Sequence, residues 1–308
     1  MVSKLDKNKE EIRSEWLGKA NLLTETLPFM KRYSNKVIVV KFGGNAMGKK
    51  EYVDSFAKDI AFLQQVGILP VVVHGGGPQI GEMLSKLKIK TEFINGLRIT
   101  DAATVDVVEM VLSGVTNKSI VTAISNSGAK AVGISGKDGN LITAKRLQQI
   151  DSNSDSNVEK AIDLGYVGEP EVIDPKVINA LISEKMIPVI APVGMGVDGQ
   201  TYNINADTAA GYISASMKAS RMIMLTDVSG VIDKSGELIT ELTVAQAQEL
   251  IKNKVVNGGM LPKLQTCIDA VLGGAEASVI MDGRMSHSLL LELFTEHGVG
   301  TIIRRNPN

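Results

Sequence analysis

The sequence predicts an α/β fold built on a parallel sheet. Short apolar runs rich in β-branched residues, such as Val37 to Val40 and Leu69 to Val73, indicate strands buried on both faces. Glycine-rich turns follow these runs, and helix-like segments follow the turns. Alternating strands and helices of this kind are typical of parallel sheets. Because ligands bind outside the carboxyl ends of such strands, we expect the functional residues in these turns.

The length, composition and net charge of the chain exclude several functional classes. The 308 residues suggest two domains or one large α/β domain, and 44% hydrophobic content is enough for a core. A net charge of −1 gives no sign of a nucleic-acid or membrane-surface partner. The single Cys267 cannot form an internal disulfide, which fits a reducing compartment. No apolar run approaches the ~18 residues of a membrane span. The N-terminus carries Asp6, Glu10 and Glu11 and has no apolar core segment, unlike a signal peptide, so a cytoplasmic location is expected.

Residues 1–33 form a predicted helical extension that Pro28 ends or kinks. One apolar stripe runs along it at helical spacing, made of Ile12, Trp16, Ala20, Leu23 and Leu27. The stripe must be buried either on its own domain or against another subunit, and the sequence leaves both open.

The first predicted strand ends at Lys41 and continues into Gly43-Gly44, which places a lysine beside an unobstructed backbone turn. A helix is predicted from Tyr52 to Val66, with a core face of Phe56, Ile60 and Leu63 and a stop at Gly67.

The second strand runs into His74-Gly75-Gly76-Gly77-Pro78. A strand, a glycine loop and a helix that begins at proline form a common anion-binding arrangement, since the backbone N–H groups point outward. His74 is expected to be a core or hydrogen-bonding residue rather than a catalytic base.

Arg98 lies in a predicted loop just before Thr100 and Asp101, either of which can cap the helix that continues through Val105, Val108 and Leu112. Its planar guanidinium suits a substrate carboxylate.

The rest of the chain continues the alternation. Strands and turns are predicted in residues 127–145, a mobile loop in 151–157, and strands at Met186–Pro192, Met222–Leu225 and Ser278–Met281. Asn203–Asp207 and Asn257–Lys263 each open a predicted helix, and a further helix runs through Leu289–Phe294. Pro188 should limit the pairing of its strand.

The candidate reactive groups are two lysines, one arginine, one aspartate and several glycine loops. They fit phosphoryl transfer, because its transition state needs positioning and positive charge more than covalent help. Lys41 and Lys263 could stabilise the attacking and leaving sides, with Asp207 organising both lysines. No general base stands out, which favours an acceptor that is already ionised, such as a carboxylate. No spacing typical of metal ligands is present.

Together the motifs resemble the acetylglutamate kinases of the amino acid kinase family over nearly all of residues 28–308. The matching motifs are Lys41 with Gly43-Gly44, His74 to Pro78, Gly96 to Asp101, Asn203 to Asp207, Leu225-Thr226-Asp227, and Gly258-Gly259-Met260 with Lys263. The resemblance implies a three-layer αβα sandwich with a central, mostly parallel sheet. It also implies phosphorylation of the side-chain carboxylate of N-acetyl-L-glutamate by ATP with Mg²⁺, on the route to arginine.

The resemblance also assigns roles to residues. Lys41, Asp207 and Lys263 would be catalytic, Gly43, Gly44, Gly76 and Gly77 would bind phosphate and reacting oxygens, and Arg98 and Asn203 would bind acetylglutamate together with Gly76 and Gly77. Thr226, Asp227, Gly230 and Lys263 would lie near the nucleotide. Residues 34–218 would form the acetylglutamate lobe, and 219–308 the nucleotide lobe with a C-terminal effector segment.

The N-terminal helix resembles that of arginine-inhibited members, where it joins dimers into a hexamer. Phe29, His287, Glu296 and Gly298 would belong to the arginine site. Deleting residues 1–30 should then abolish arginine sensitivity.

Other functions remain to be weighed. A dinucleotide-dependent oxidoreductase is disfavoured because the glycine spacing departs from G-x-G-x-x-G. A non-catalytic arginine sensor is disfavoured by the intact Lys41, Asp207 and Lys263. A sister kinase for N-acetyl-aminoadipate stays open, since one methylene changes binding by only ~1–3 kcal/mol. A regulatory protein partner also stays open.

Overall fold

The structure, a computed structural model, describes residues 4–94, 96–150 and 161–306. The predicted loop at 151–157 lies outside these residues. The described α-helices are α1 (Lys4–Tyr33), α2 (Lys50–Gln65), α3 (Gly77–Lys86), α4 (Ala102–Glu109), α5 (Asn117–Asn126), α6 (Lys176–Ser183), α7 (Ala206–Ser216), α8 (Val244–Lys252), α9 (Met260–Gly273) and α10 (Ser288–Phe294). The described strands are β1 (Val37–Phe42), β2 (Leu69–His74), β3 (Phe93–Ile94), β4 (Leu97–Arg98), β5 (Ala131–Ser135), β6 (Ile142–Arg146), β7 (Gln149–Ile150), β8 (Ala161–Ile162), β9 (Val167–Ile173), β10 (Ile187–Ala191), β11 (Val193–Met195), β12 (Thr201–Ile204), β13 (Arg221–Thr226), β14 (Glu241–Thr243), β15 (Ala277–Asp282) and β16 (Thr301–Arg304).

The central sheet has the strand order β14-β16-β15-β13-β1-β2-β10-β5 within the described chain. All its neighbouring strands are parallel except β15 and β16. Lys41 pairs with Val73 on one side and Met224 on the other. The carboxyl ends of β1, β2 and β13 therefore meet at one edge, as the sequence predicts.

Helices cover both faces of this sheet, which confirms the three-layer prediction. Along β1, Val39 packs into a core under α6, α7, α8 and α9. Its neighbours Ile38 and Val40 pack into a second core with α2, α5 and α10. A strand buried on both faces produces the unbroken apolar run seen in the sequence.

A small closed barrel of β11, β12, β9 and β6 lies beside the main sheet, and the sequence did not predict it. Pro188 behaves as expected, since β10 pairs with β2 only at Val189 and Ile190.

Pro28 does not end the N-terminal helix. Helix α1 continues through it to Tyr33, so that part of the prediction is wrong. Phe29 and Met30 pack against the core, and Tyr33 is buried. This packing offsets the single backbone hydrogen bond that proline removes. Farther back, the stripe residues Trp16, Leu23 and Leu27 are each more than 60% exposed.

Helices α4 and α5 join through the π-helical segment Met110–Thr116. By length and composition alone, the resulting helix Ala102–Asn126 could cross a membrane. Its apolar side chains, however, pack in the interior at Val105, Val108, Leu112, Ile120 and Ile124, as expected for a core helix.

Candidate active site

Two glycine turns meet at the carboxyl edge of the sheet. The turn after β1 contains Gly43, and the turn after β2 contains Gly75. A Cβ at Gly43 would lie 3.0 Å from the Gly75 backbone nitrogen and 3.3 Å from Lys41 Cε. The two backbones are thus in contact, and a side chain at position 43 would separate them.

Asp207 connects the two candidate catalytic lysines. It lies in the first turn of α7, where the Asn205 side chain accepts hydrogen bonds from Asp207 N and Thr208 N. Its Oδ1 is 2.9 Å from Lys41 Nζ, and its Oδ2 is 2.8 Å from Lys263 Nζ. Both lysines and the aspartate are at least three-quarters buried. The sequence predicts that Asp207 organises the two lysines, and the structure places its carboxylate between their ammonium groups.

The charge state of Asp207 follows from its surroundings. Burial alone would raise its pKa, but the positive charges of Lys41 and Lys263 outweigh burial and lower the pKa below its usual value. An ionised Asp207 holds both ammonium groups beside each other, where they would otherwise repel.

A cavity of about 240 Å³ opens next to this cluster. Lys41, Gly44, Gly76, Gly77 and Asp207 lie at its wall. The cavity also reaches Arg98 and Asn203, the residues expected to bind the amino-acid substrate.

Arg98 is 8% exposed and held by uncharged groups. Its guanidinium donates to Gly77 O at 3.1 Å and Thr91 Oγ1 at 3.2 Å, and it lies 4.5 Å from the centre of the Phe93 ring. Burial lowers its pKa. No carboxylate among the described residues forms an ion pair with it. A buried guanidinium without an acidic partner is suited to an anionic ligand.

Asn203 reaches the same cavity from β12. Its Nδ2 lies 3.5 Å from Thr100 Oγ1, and Thr100 Oγ1 in turn donates to Arg98 O at 2.9 Å. Asp101, one of the two predicted caps, accepts from Thr104 N and begins α4. Thr100 thus links the Arg98 backbone to Asn203, directly before the residue that caps α4.

The residues expected near a nucleotide lie at the same edge of the sheet. Thr226 is the last residue of β13, which pairs with β1, and its hydroxyl is 3.2 Å from Asp227 Oδ1. Gly230 has a φ of +150°, and a Cβ there would meet Thr301 Oγ1 at 2.5 Å. The cavity described above does not extend to Thr226, Asp227, Gly230 or Lys263.

A second cavity of about 200 Å³ brings together three of the four residues expected at an effector site. Phe29 from α1, Glu296 and Gly298 line it. His287 lies elsewhere, with Nδ1 2.6 Å from Asp59 Oδ1. Glu292, which is not predicted from the sequence, also lines this cavity and accepts from Val299 N at 2.8 Å. No sequence motif marks Glu292, because the fold alone brings the other residues of this cavity close to it.

No group of three or more His, Cys, Asp or Glu side chains that could hold a metal ion occurs in the part of the chain that the structure describes.

Two lysines are paired through an aspartate beside glycine turns at the edge of a parallel sheet. This arrangement defines an α/β protein suited to binding and transferring phosphoryl groups. Comparison with known proteins gives the same class, since residues 36–282 match the amino acid kinase family. The chain belongs to the amino acid kinase family, which confirms the family that the motifs indicated.

Its relatives include acetylglutamate kinases. That of Rhodospirillum centenum is 56% identical over 293 residues, covering 95% of this chain and 96% of the relative. That of Rhizobium johnstonii is 55% identical over 284 residues, covering 92% and 96%.

Solved structures confirm the fold. N-acetylglutamate synthase from Neisseria gonorrhoeae, complexed with coenzyme A and N-acetyl-glutamate, has a TM-score of 0.80 at 24% identity. The match covers 94% of this chain but only 64% of the synthase. Carbamate kinase from Giardia lamblia bound to AMP-PNP has a TM-score of 0.63 at 17% identity, covering 89% of this chain and 100% of the kinase.

Proposed function

We propose that this protein is an acetylglutamate kinase, which transfers the γ-phosphoryl group of ATP to the side-chain carboxylate of N-acetyl-L-glutamate in arginine biosynthesis. One observation carries the proposal: Lys41 and Asp207, the latter paired with Lys263, line a cavity that also reaches Arg98, whose guanidinium has no acidic partner among the described residues. Positive charge for the transferring group and an anchor for an anionic substrate are thus adjacent. The high identity to acetylglutamate kinases supports the choice of substrate.

The mechanism needs no general base. The acceptor carboxylate is ionised at neutral pH and attacks the γ-phosphorus directly. Lys41 and Lys263 stabilise the negative charge on the attacking, transferring and leaving oxygens, and Asp207 keeps both ammonium groups in place. Asp207 has both oxygens paired, which fits a positioning role better than proton abstraction.

The remaining groups bind and orient. Gly43, Gly44, Gly76 and Gly77 leave the backbone open to phosphate and reacting oxygens, while Arg98 and Asn203 bind acetylglutamate. Thr226, Asp227, Gly230 and Lys263 lie on the ATP side. Mg²⁺ bound with the nucleotide would neutralise the phosphate charges, and no residue of the described chain is assigned as its ligand.

This assignment divides the chain by role: residues 34–218 bind the amino acid, and residues 219–308 bind the nucleotide. The two parts meet where β1 pairs with β13, so the reacting groups would come together at that junction. A cytoplasmic location fits this biosynthetic role.

We further propose that arginine inhibits the enzyme by binding in the cavity lined by Phe29, Glu296 and Gly298. Glu296 supplies a carboxylate for the arginine guanidinium. The exposed stripe of α1, with Trp16 more than half exposed, is available for contact with another subunit in a hexamer. Phe29 links the same helix to the cavity, so assembly and inhibition would be coupled.

The alternative substrate is N-acetyl-aminoadipate, which is one methylene longer. Incubating the protein with MgATP and either acid, and trapping the acyl phosphate with hydroxylamine, separates the two. We expect product with N-acetylglutamate at a higher kcat/KM. A preference for the longer acid would overturn the assignment, and product from neither would overturn the kinase proposal.

A further inference from the structure

His74 lies behind the glycine turn and has no place in the mechanism above. It is the last residue of β2 and is fully buried. Its ring makes two polar contacts: Nδ1 is 2.8 Å from Gly75 O, and Nε2 is 3.1 Å from Asn117 Nδ2. Asn117, the first residue of α5, is also fully buried. A polar pair of this kind in a core is maintained only if its hydrogen bonds are satisfied.

The contacts of Asn117 fix which ring nitrogen carries the proton. Asn117 Nδ2 also lies 2.8 Å from Val189 O and 3.3 Å from Ile134 O, while its Oδ1 accepts from Lys118 Nζ at 3.1 Å. The amide nitrogen has two N–H groups for these three acceptors, and Val189 O and His74 Nε2 are the two nearest, so Nδ2 donates toward His74 and Nε2 accepts. The single proton of the neutral ring is then on Nδ1, which donates to Gly75 O.

The imidazole ring of His74 is neutral, in addition to being oriented by its two hydrogen bonds. Burial, reinforced by the charge of Lys118, lowers the pKa of His74 to about 4, while the hydrogen bond to Gly75 opposes the shift only in part. His74 therefore stays neutral throughout the neutral pH range, and its hydrogen bonds to Gly75 and Asn117 set the tautomer.

Holding the Gly75 carbonyl also fixes the next peptide N–H. The peptide from Gly75 to Gly76 is planar and trans, so its C=O and N–H point in opposite directions. Gly75 N donates to Phe42 O at 2.8 Å, which holds the other side of that residue. With the carbonyl turned toward the buried ring, the Gly76 N–H faces away from it, and Gly76 lies at the wall of the cavity.

We propose that His74 is a positioning residue for phosphoryl transfer: its Nδ1–H holds the Gly75 carbonyl, and this directs the Gly76 N–H at the oxygens of the transferring group. Asn117 sets the tautomer that makes this possible. The inference rests on the proposed kinase function. It predicts a larger effect on kcat than on the KM for N-acetylglutamate, because Arg98 and Asn203 stay in place to bind that substrate when the Gly76 N–H is misdirected.

Two conservative variants separate positioning from packing. Asparagine at position 74 can place an amide donor where Nδ1 lies, whereas glutamine places its amide near Nε2 and leaves the Gly75 carbonyl without its donor. We expect His74→Gln to lower kcat ~10- to 100-fold, somewhat less than removal of an oxyanion donor. Its KM for N-acetylglutamate should stay within ~3-fold, and His74→Asn should restore kcat to within ~5-fold of wild type.

A spectroscopic measurement on the unmodified protein tests the tautomer directly. Long-range ¹H–¹⁵N spectra of ¹⁵N-histidine-labelled protein should show one ring protonated only at Nδ1 from pH 6 to 8, and His74→Asn should remove it. An Nε2-protonated ring would overturn the inference, as would a His74→Gln variant with kcat within twofold of wild type. Equal losses in both variants would assign His74 to packing and also overturn it.

Failure of the proposed kinase function would give a different result from failure of the positioning role of His74. Wild-type protein that forms no acyl phosphate would reject the kinase, whatever the variants do. Should His74→Gln fail to fold, the tautomer and the kinetics of His74→Asn still decide, since a loss above ~10-fold in that variant contradicts the inference.

Discussion

Asp207 Oδ1 lies 2.9 Å from Lys41 Nζ, although the two residues belong to different elements, α7 and β1. The opposite oxygen of the same carboxylate lies 2.8 Å from Lys263 Nζ on α9. A single carboxylate therefore fixes the separation of two cations, and the fold supplies each of the three from a different part of the sequence.

Asp207→Asn should lower kcat by ~10²- to 10³-fold, because a neutral amide cannot hold two ammonium groups and each lysine contributes a positioned charge. Steady-state kinetics with MgATP and N-acetylglutamate measure this. Asp174→Asn is a matched control, since Asp174 forms an exposed ion pair with Lys176. It should leave kcat unchanged. Wild-type kcat in Asp207→Asn would show that Asp207 does not organise the lysines.

Arg98→Lys should raise the KM for N-acetylglutamate ~10- to 100-fold with a smaller change in kcat, because lysine lacks the planar fork that binds a carboxylate. The KM for ATP should not change. Arg146→Lys is the control, since Arg146 forms an exposed pair with Asp163. A lower kcat at unchanged KM would mean that Arg98 acts in the chemical step instead.

Stability should fall below neutral pH because of His74. Its folded-state pKa is about 4, below the ordinary 6.5, so the unfolded state takes up a proton first as the pH falls. The loss of unfolding free energy begins near pH 6.5 and is complete near pH 4, and it reaches about 2 kcal/mol at pH 5.

Urea unfolding at pH 7 and pH 5 measures this loss, and His74→Asn should show a smaller pH dependence than wild type. His297→Asn, at an exposed position, serves as control. Identical pH dependence in wild type and His74→Asn would contradict the prediction.

Glu296→Gln should raise the arginine concentration needed for half-inhibition by ~10-fold or more, because the guanidinium loses a charged partner. Activity without arginine should stay unchanged, since Glu296 lies outside the candidate active site. Deletion of residues 1–30 should remove inhibition altogether. Glu184→Gln, at an exposed position away from this cavity, is the control. Full arginine sensitivity in the deleted protein would reject the regulatory proposal.

The sequence predicted the strands and turns of the site well because their signals are local. Val37 to Val40 and the glycines that follow define a strand and a turn without any tertiary information. Parallel pairing then required the turns after β1 and β2 to meet at one edge, where Gly43 contacts Gly75. The meeting of Lys41, Asp207 and Lys263 came from the motif resemblance and the chemistry, not from periodicity.

Features that depend on tertiary packing were missed. Helix α1 passes through Pro28 because Phe29, Met30 and Tyr33 pack against the core. The pairing of His287 with Asp59 joins residues that lie far apart in the chain, and no local pattern marks it. The same holds for the small barrel, whose four strands close only through the fold.

The two lysines carry the proposed chemistry, so the most direct measurement is acyl phosphate formation by Lys41→Ala and Lys263→Ala beside wild type. Hydroxylamine traps the product from MgATP and N-acetylglutamate, and circular dichroism confirms that each variant is folded. Lys145→Ala, at an exposed position, is the control. We expect turnover to fall at least ~100-fold in both variants and to stay unchanged in the control. Near-normal turnover in either folded variant would contradict the role assigned to that lysine and with it the proposed mechanism.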